Sequence, residues 1–130
     1  MTVRELLSAL TVPLCPPGFL ANYTKFTTRS SEDRPCAGVV AMIRREDGFC
    51  REARLVIGAV SPAPVRVHKA EDLARGQKLS PDLFQAMGDE AAKAVDPIDD
   101  LRGPADYKRH VVGVLARRSL EAAAQKGERA

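Results

Sequence analysis

The stretch A-G-V-V-A-M-I-R-R-E-D-G-F-C-R-E-A-R-L-V-I-G-A-V, Ala37 to Val60, decides the fold. Ala37 to Ile43 is an apolar run of strand length. Asp47-Gly48 between two apolar segments signals a two-residue hairpin. Beyond the turn, one parity carries Phe49, Ala53, Leu55, Ile57 and Ala59, interrupted by Arg51. The other parity holds Cys50, Glu52 and Arg54 before turning apolar at Val56. Such period-two alternation suits a strand with one buried face.

Working outward, Phe19 to Thr28 carries Tyr23, Phe26 and several threonines, a composition that favours an extended chain. Arg29 to Pro35 is a polar loop. Val3 to Val12 is moderately apolar and is cut off by Pro13 and by Cys15-Pro16-Pro17-Gly18, which predicts a separate piece of helix or strand. Downstream of the hairpin, Ser61-Pro62-Ala63-Pro64 breaks the strand and Val65 to Val67 continues it briefly. A short helix over Lys69 to Arg75 stops at Gly76. Ser80-Pro81-Asp82 opens a second helix with an N-cap, a proline in the first turn and an acid at the positive dipole end. It buries Phe84, Met87 and Ala91, and Gly88 in its middle costs about 1 kcal/mol of helix propensity.

A third helix starts at Gly103-Pro104, with Tyr107, Val111, Val114 and Leu115 as its expected buried stripe. Arg102 and Asp106 read as caps at its start. Strands first and helices afterwards predict an α+β fold: a small antiparallel sheet of three to four strands, packed on one face by about three helices.

Composition bounds the function. The chain has 130 residues, one domain's worth, with 45% hydrophobic and 28% charged residues and a net charge of +3. The basic residues are dispersed, so neither nucleic acid nor a membrane is an expected partner. Cys15, Cys36 and Cys50 form no C-x-x-C pair; neither a disulfide framework nor a thiolate metal site is expected, and a reducing, cytoplasmic setting is the natural one. All nine glycines stand alone, without G-G, G-x-G or G-x-x-G, so the chain has no loop of converging amides to cradle a phosphate. His68 and His110 are isolated, and no serine sits in a nucleophile elbow. No catalytic residues are assigned, and catalysis by the chain in isolation is not expected.

Four segments in order carry a resemblance. Y-T-K-F-T-T-R-S-S-E-D (Tyr23 to Asp33) resembles the Y-x-K-F-x-x-R-x-x-x-D stretch in the C-terminal domain of the medium, flavin-binding subunit of molybdenum hydroxylases of the carbon monoxide dehydrogenase and xanthine dehydrogenase type. The strand A-R-L-V-I-G-A-V (Ala53 to Val60) with the following P-A-P-V-R (Pro62 to Arg66), then A-E-D-L-A-R-G (Ala70 to Gly76), are similar to that domain's next motifs. D-D-L-R-G-P-A-D-Y-K-R-H-V-V-G-V-L-A-R-R (Asp99 to Arg118) is similar to its ending. The likeness runs from residue 13 to about residue 125.

The resemblance implies that residues 1–13 are the last strand and linker of an upstream FAD domain, and that 14–130 form the C-terminal domain. It implies FAD shared with a separate flavin-binding domain and none held by this chain alone, in keeping with the missing glycine loops. It further implies a separate FAD-domain chain, an iron–sulfur subunit and a molybdopterin subunit as partners, with electrons passing from molybdenum through iron–sulfur centres to FAD. By the same likeness Tyr23 stacks near the isoalloxazine ring, Lys25 lies by its polar edge and favours the reduced form electrostatically, and Asp33 sits on a loop near the acceptor side. Without the resemblance, Tyr23 and Lys25 are the outward positions of an amphipathic strand, Arg29 and Asp33 pair across a loop, and the chain is a stand-alone interaction module without flavin.

Overall fold

Asp47 and Gly48 stand at φ +52° and +83°, the pair of left-handed residues that a tight hairpin turn of right-handed twist requires. In the computed structural model, which describes residues 6–29 and 34–126, they join β2 (Ala37–Glu46) to β3 (Phe49–Gly58). Strand β1 (Leu20–Phe26) pairs antiparallel with β2 on one side, and the short β4 (Val65–Arg66) pairs antiparallel with β3 on the other. The sheet order is β1-β2-β3-β4. Three helices follow: α1 (His68–Ala74), α2 (Pro81–Ala94) and α3 (Ala105–Lys126). The α+β arrangement expected from the order of the segments is the one observed.

All three helices lie on one side of the sheet or on one another: α3 packs on β1 and β2, α1 on β3, and α2 on α1 and α3. The core is therefore a single layer between Ala37, Val39, Ala41 and Ile43 of β2, Ala53, Leu55 and Ile57 of β3, and the helical residues Ala70, Phe84, Met87, Ala91, Val112, Ala116 and Leu120. Ser80 caps α2 as its sequence predicts, its hydroxyl accepting from the Leu83 amide at 3.2 Å, and Gly76 takes φ +75° directly after α1.

The mixed parity of β3 has a local cause. Arg44 pairs with Glu52 but Arg45 pairs with Cys50, so Arg51 is the extra residue of a β-bulge. One inserted residue exchanges the faces. Cys50 is fully buried and Phe49 is half exposed, the reverse of the parity expected from the downstream residues. At the other end Ala59 leaves the strand at φ +71° and is exposed, and Val60 is buried in its place.

Beside the bulge, the free edge of β3 is closed by the chain that returns to it. Cys50 exchanges backbone bonds with Gln77 and Gly76, both at 2.8 Å, and the Val67 amide donates to the Leu55 carbonyl at 2.9 Å. The Leu55 amide has no backbone partner there and donates to the Glu71 carboxylate at 3.0 Å.

Two further expectations are corrected. Tyr107 is 45% exposed and lies against Gly103 instead of in the core, because α3 faces the sheet with Val112, Ala116, Ser119, Leu120 and Ala123, a narrower face rotated away from Tyr107 and Val114. The described part of the leading segment, residues 6–15, carries neither helix nor strand. Its large apolar side chains stand in solvent: Leu6, Leu10 and Leu14 are 89%, 80% and 93% exposed.

Candidate functional site

With the described helices confined to one face, none of them covers the other face of the sheet, and the pleat decides which side chains it shows. Tyr23 pairs with Val40 and Val40 with Val56, which gives one transverse row; Lys25, Gly38 and Gly58 give the next, and Ala21, Met42 and Arg54 the one on the other side. Tyr23 and Lys25, two apart on β1, are thus brought to the same outer face. Asp33 lies outside the described residues. Arg29 is described, in a bend after β1, and is exposed.

The Tyr23 ring does not stand off the sheet. A Cβ placed on Gly38 would be 3.3 Å from the Tyr23 hydroxyl oxygen and 3.6 Å from Cε2. The phenol therefore leans from its own row into the row of Lys25. Below it, Val40 and Met42 make a half-buried apolar floor, and the strap Pro13 to Pro16 closes one side of an open hollow of about 610 Å³ with Arg54 on its rim.

Arg54 is held in place. Its Nε and a terminal nitrogen donate to Glu52 at 3.1 and 3.0 Å, and its guanidinium lies 4.8 Å from the centroid of Phe19. Arg44 approaches the same ring at 5.5 Å and the same carboxylate at 3.1 Å, while its buried Nε has no hydrogen-bond acceptor. Phe19, within reach of both guanidiniums, ties the strap to the sheet through cation–π contacts worth about 0.5–1 kcal/mol each at such exposed sites.

A second open hollow, about 690 Å³, lies at the hairpin tip and is lined by Glu46, Asp47, Arg51, Glu52 and Arg75. Its charges oppose one another, and neither Tyr23 nor Lys25 lines it. Among the described residues no three His, Cys, Asp or Glu side chains are grouped as a metal would need. Burial pushes the Cys36 and Cys50 thiols up, so both behave as small apolar side chains. No described helix is long and apolar enough to cross a membrane.

Sequence reasoning missed two polar anchors, both structural. Burial acts to raise the carboxyl of Glu71, but the hydrogen bonds from Arg66 and from the Leu55 amide, with the charges of Arg66 and His68, hold it below the usual carboxylate range. Arg66 grips it at 2.9 Å through Nε. Lys108 is buried in α3 and donates to Asp100 and to the Ile98 carbonyl, both at 2.7 Å, and its bond holds the Asp100 carboxyl low. The cap of α3 is Asp99, which accepts from the Ala105 amide at 2.6 Å. Arg102 and Asp106, expected there, pair instead with Asp100 and Arg109. The signal for Glu71 and Asp99 was present in the motifs A-E-D-L-A-R-G and D-D-L-R-G, whose acids the fold turns inward to its own amides.

The open face can hold one side of a flat, partly apolar group, with the Tyr23 phenol over the hollow and Lys25 in the adjacent row of the same face. The described glycines with left-handed φ (Gly18, Gly48, Gly76 and Gly103) are in four separate turns, so they do not gather into one loop of converging amides. This is an α+β domain with one face dressed in helices and one presented outward. Residues 22–123 match the CO dehydrogenase flavoprotein C-terminal domain, and the chain belongs to that family.

Similar curated proteins include the nicotine 6-hydroxylase medium subunit of Paenarthrobacter nicotinovorans, 30% identical over 92% of this chain and 41% of that subunit. The carbon monoxide dehydrogenase medium chain of Hydrogenophaga pseudoflava is 29% identical over 92% of this chain and 42% of its own length. The chain thus spans about two fifths of the relatives it matches. A solved carbon monoxide dehydrogenase from Hydrogenophaga pseudoflava superimposes with a TM-score of 0.82 at 32% identity, over 88% of this chain and 39% of that one. Quinoline 2-oxidoreductase from Pseudomonas putida 86, at 21% identity and a TM-score of 0.80, shares the fold. The matched relatives are medium chains and subunits, parts of multi-subunit enzymes.

Proposed function

We propose that residues 14–130 serve as the C-terminal domain of a molybdenum-hydroxylase flavoprotein subunit, whose outer sheet face forms the isoalloxazine side of an FAD site. The observation that carries this reading is the convergence of Tyr23 and Lys25 on a helix-free, half-apolar face. The pyrophosphate would be held by a flavin domain outside this chain's described fold, since the turns here offer it no cradle. When bound, FAD takes up an electron pair and passes it to an acceptor. The chain's own contribution is to cover one side of the ring, exclude water with Val40, Met42 and the Pro13–Pro16 strap, and set a fixed cation beside it. The exposed apolar side chains of residues 6–14 support a neighbouring protein surface on the same side, since so many apolar groups in solvent mark a contact region. By likeness to the relatives, the flavin domain, an iron–sulfur subunit and a molybdopterin subunit are the partners, in the cytoplasm, and Asp33 serves the acceptor side.

The test is a tagged pull-down from the native host with an absorbance scan and metal analysis. Flavin absorbance with molybdenum and iron is expected, and a colourless single band refutes the reading. Within the flavoprotein, Lys25→Met removes a cation whose interaction with the reduced ring would contribute about 1–3 kcal/mol. The flavin midpoint potential is then expected to fall by roughly 20–60 mV for a two-electron couple. An unchanged potential refutes the role given to Lys25.

A further inference from the structure

Gly38 is an odd choice for its place. It lies inside β2, where glycine costs about 0.5–1 kcal/mol relative to alanine, and its φ is not in the left-handed region that would favour it. The three heavy atoms nearest to a Cβ at this position all belong to Tyr23: the hydroxyl oxygen at 3.3 Å, Cε2 at 3.6 Å and Cζ at 3.8 Å. The far end of the ring thus occupies the space a side chain would fill, although Tyr23 is paired with Val40 and not with Gly38. The register partner of Gly38 on β1 is Lys25. The lean therefore carries the phenol oxygen out of its own row into that of Lys25. Glycine in a strand interior often marks such a close approach.

We propose that Gly38 is a positioning residue: its missing side chain lets the Tyr23 ring lie along the outer face, so that the Tyr23 hydroxyl and Lys25 address the same edge of the bound ring. The inference rests on the flavin-facing reading of that surface. Gly38 touches neither cofactor nor substrate in this account and acts through Tyr23 alone. Alanine at position 38 would press on the hydroxyl by about 0.1 Å at the 3.3 Å contact and tilt the ring slightly. Valine would displace it.

The test has a flavin-free arm and a flavin arm. The chain has two tyrosines and no tryptophan, so Tyr107→Phe leaves Tyr23 as the sole tyrosine. In that background, NMR of the full chain should show the Tyr23 ring protons close to the Gly38 α-protons, and Gly38→Val should abolish the ring's contacts with the backbone at that position. A double-mutant cycle guards against a folding artefact: Gly38→Val should lose stability with Tyr23 present and lose none in Tyr23→Leu. In the flavin arm, the visible flavin band of the complete flavoprotein should shift in Gly38→Val as it does in Tyr23→Leu, and by a smaller amount in Gly38→Ala. Persistence of the ring contact in Gly38→Val, or additivity in the cycle, overturns the positioning role whatever the flavin does. A band moved by Tyr23→Leu but not by Gly38→Val overturns it while the flavin-facing reading stands. A band moved by neither Tyr23→Leu nor Lys25→Met overturns both.

Discussion

A close helix–helix approach makes a prediction with two opposite signs. Helices α2 and α3 cross at Gly88 and Gly113. A Cβ on Gly88 would stand 2.6 Å from the Gly113 carbonyl oxygen, with Arg117 Cβ at 3.5 Å. Ordinary contact begins near 3.4 Å, so Gly88→Ala must part the two backbones by about 0.8 Å (3.4 − 2.6) at a place where the opposing atom is main chain and cannot swing aside. Parting them loosens Phe84, Met87 and Ala91 against Val112, Ala116 and Leu120. Overpacking a tight core costs about 1–3 kcal/mol, and a backbone clash belongs at the upper end. The helix propensity gained on replacing a mid-helix glycine returns about 1 kcal/mol. Gly88→Ala should therefore destabilise by about 1–2 kcal/mol, lowering Tm by roughly 4–8 °C for a domain of this size.

The same substitution across the crossing should behave differently. A Cβ on Gly113 would meet the Gly88 carbonyl oxygen at 3.3 Å and Ala92 Cβ at 3.5 Å, which a shift of about 0.1 Å relieves. With the propensity gain intact, Gly113→Ala should be neutral or stabilising by up to about 1 kcal/mol. Urea denaturation followed by far-UV circular dichroism measures both, with an unchanged m value expected because the folded contacts change locally. Equal effects at the two positions, or a Gly88→Ala chain as stable as the parent, would show that the crossing is looser than its geometry states, and the reasoning would fall.

Three other outcomes follow from single groups. Glu71→Gln should cost about 1–3 kcal/mol near neutral pH, the range for lost bonds to a charged group, discounted because Arg66 is half exposed and can turn to water. The native carboxyl is held below its unfolded range, so its stabilisation is complete above that range and disappears as pH falls through the native value. Parent and variant stabilities, compared across an acid titration, should accordingly converge at low pH, and a constant gap would contradict the Glu71 assignment. Ala59→Gly should raise stability by about 0.5–1 kcal/mol, since Ala59 is exposed and stands at a left-handed φ of +71°; a loss in thermal denaturation would mean the methyl contributes something the geometry does not display. Lys25→Met should move the flavin potential while the far-UV circular dichroism of the chain stays that of the parent, so a lost fold would reassign Lys25 to the scaffold.

What could be read in the sequence was what neighbours in the chain decide. The Asp47-Gly48 turn, the Ser80 cap and the Gly76 stop each depend on a few consecutive residues, and each is where the pattern placed it. What could not be read depends on partners far along the chain. The bulge at Arg51 is set by the register of β2, so the buried Cys50 and exposed Phe49 looked like a broken alternation. The buried face of α3 is chosen by what small residues allow: Ala116, Ser119 and Ala123 let the helix sit close to the sheet, and Ser119 meets Asn22 across 97 positions at 3.1 Å. Counting large apolar residues selected Tyr107 instead. The parity of β1 did place Tyr23 and Lys25 on one face, but only the fold shows that none of the described helices covers it.

The described glycines sort by backbone into two groups, and the division explains why an exclusion drawn from them left their use unread. Gly18, Gly48, Gly76 and Gly103 have left-handed φ and serve turns. Gly38, Gly58, Gly88 and Gly113 have ordinary φ and belong to a strand or helix, where glycine weakens the element. At Gly38, Gly88 and Gly113 a neighbour has moved into the vacant Cβ space, a carbonyl oxygen at each helix crossing position and a phenol at Gly38, whereas nothing lies within 4 Å of that place at Gly58, the last residue of β3. Isolated glycines cannot gather amides around a phosphate, but isolation is no obstacle to close approach, which needs one missing side chain at one point. The helix pair uses it to hold the covered face together, and the outer face uses it to lay down Tyr23. The feature that argues against phosphate binding by this chain is thus compatible with a domain whose working surface is a flat sheet face carrying one flattened aromatic ring.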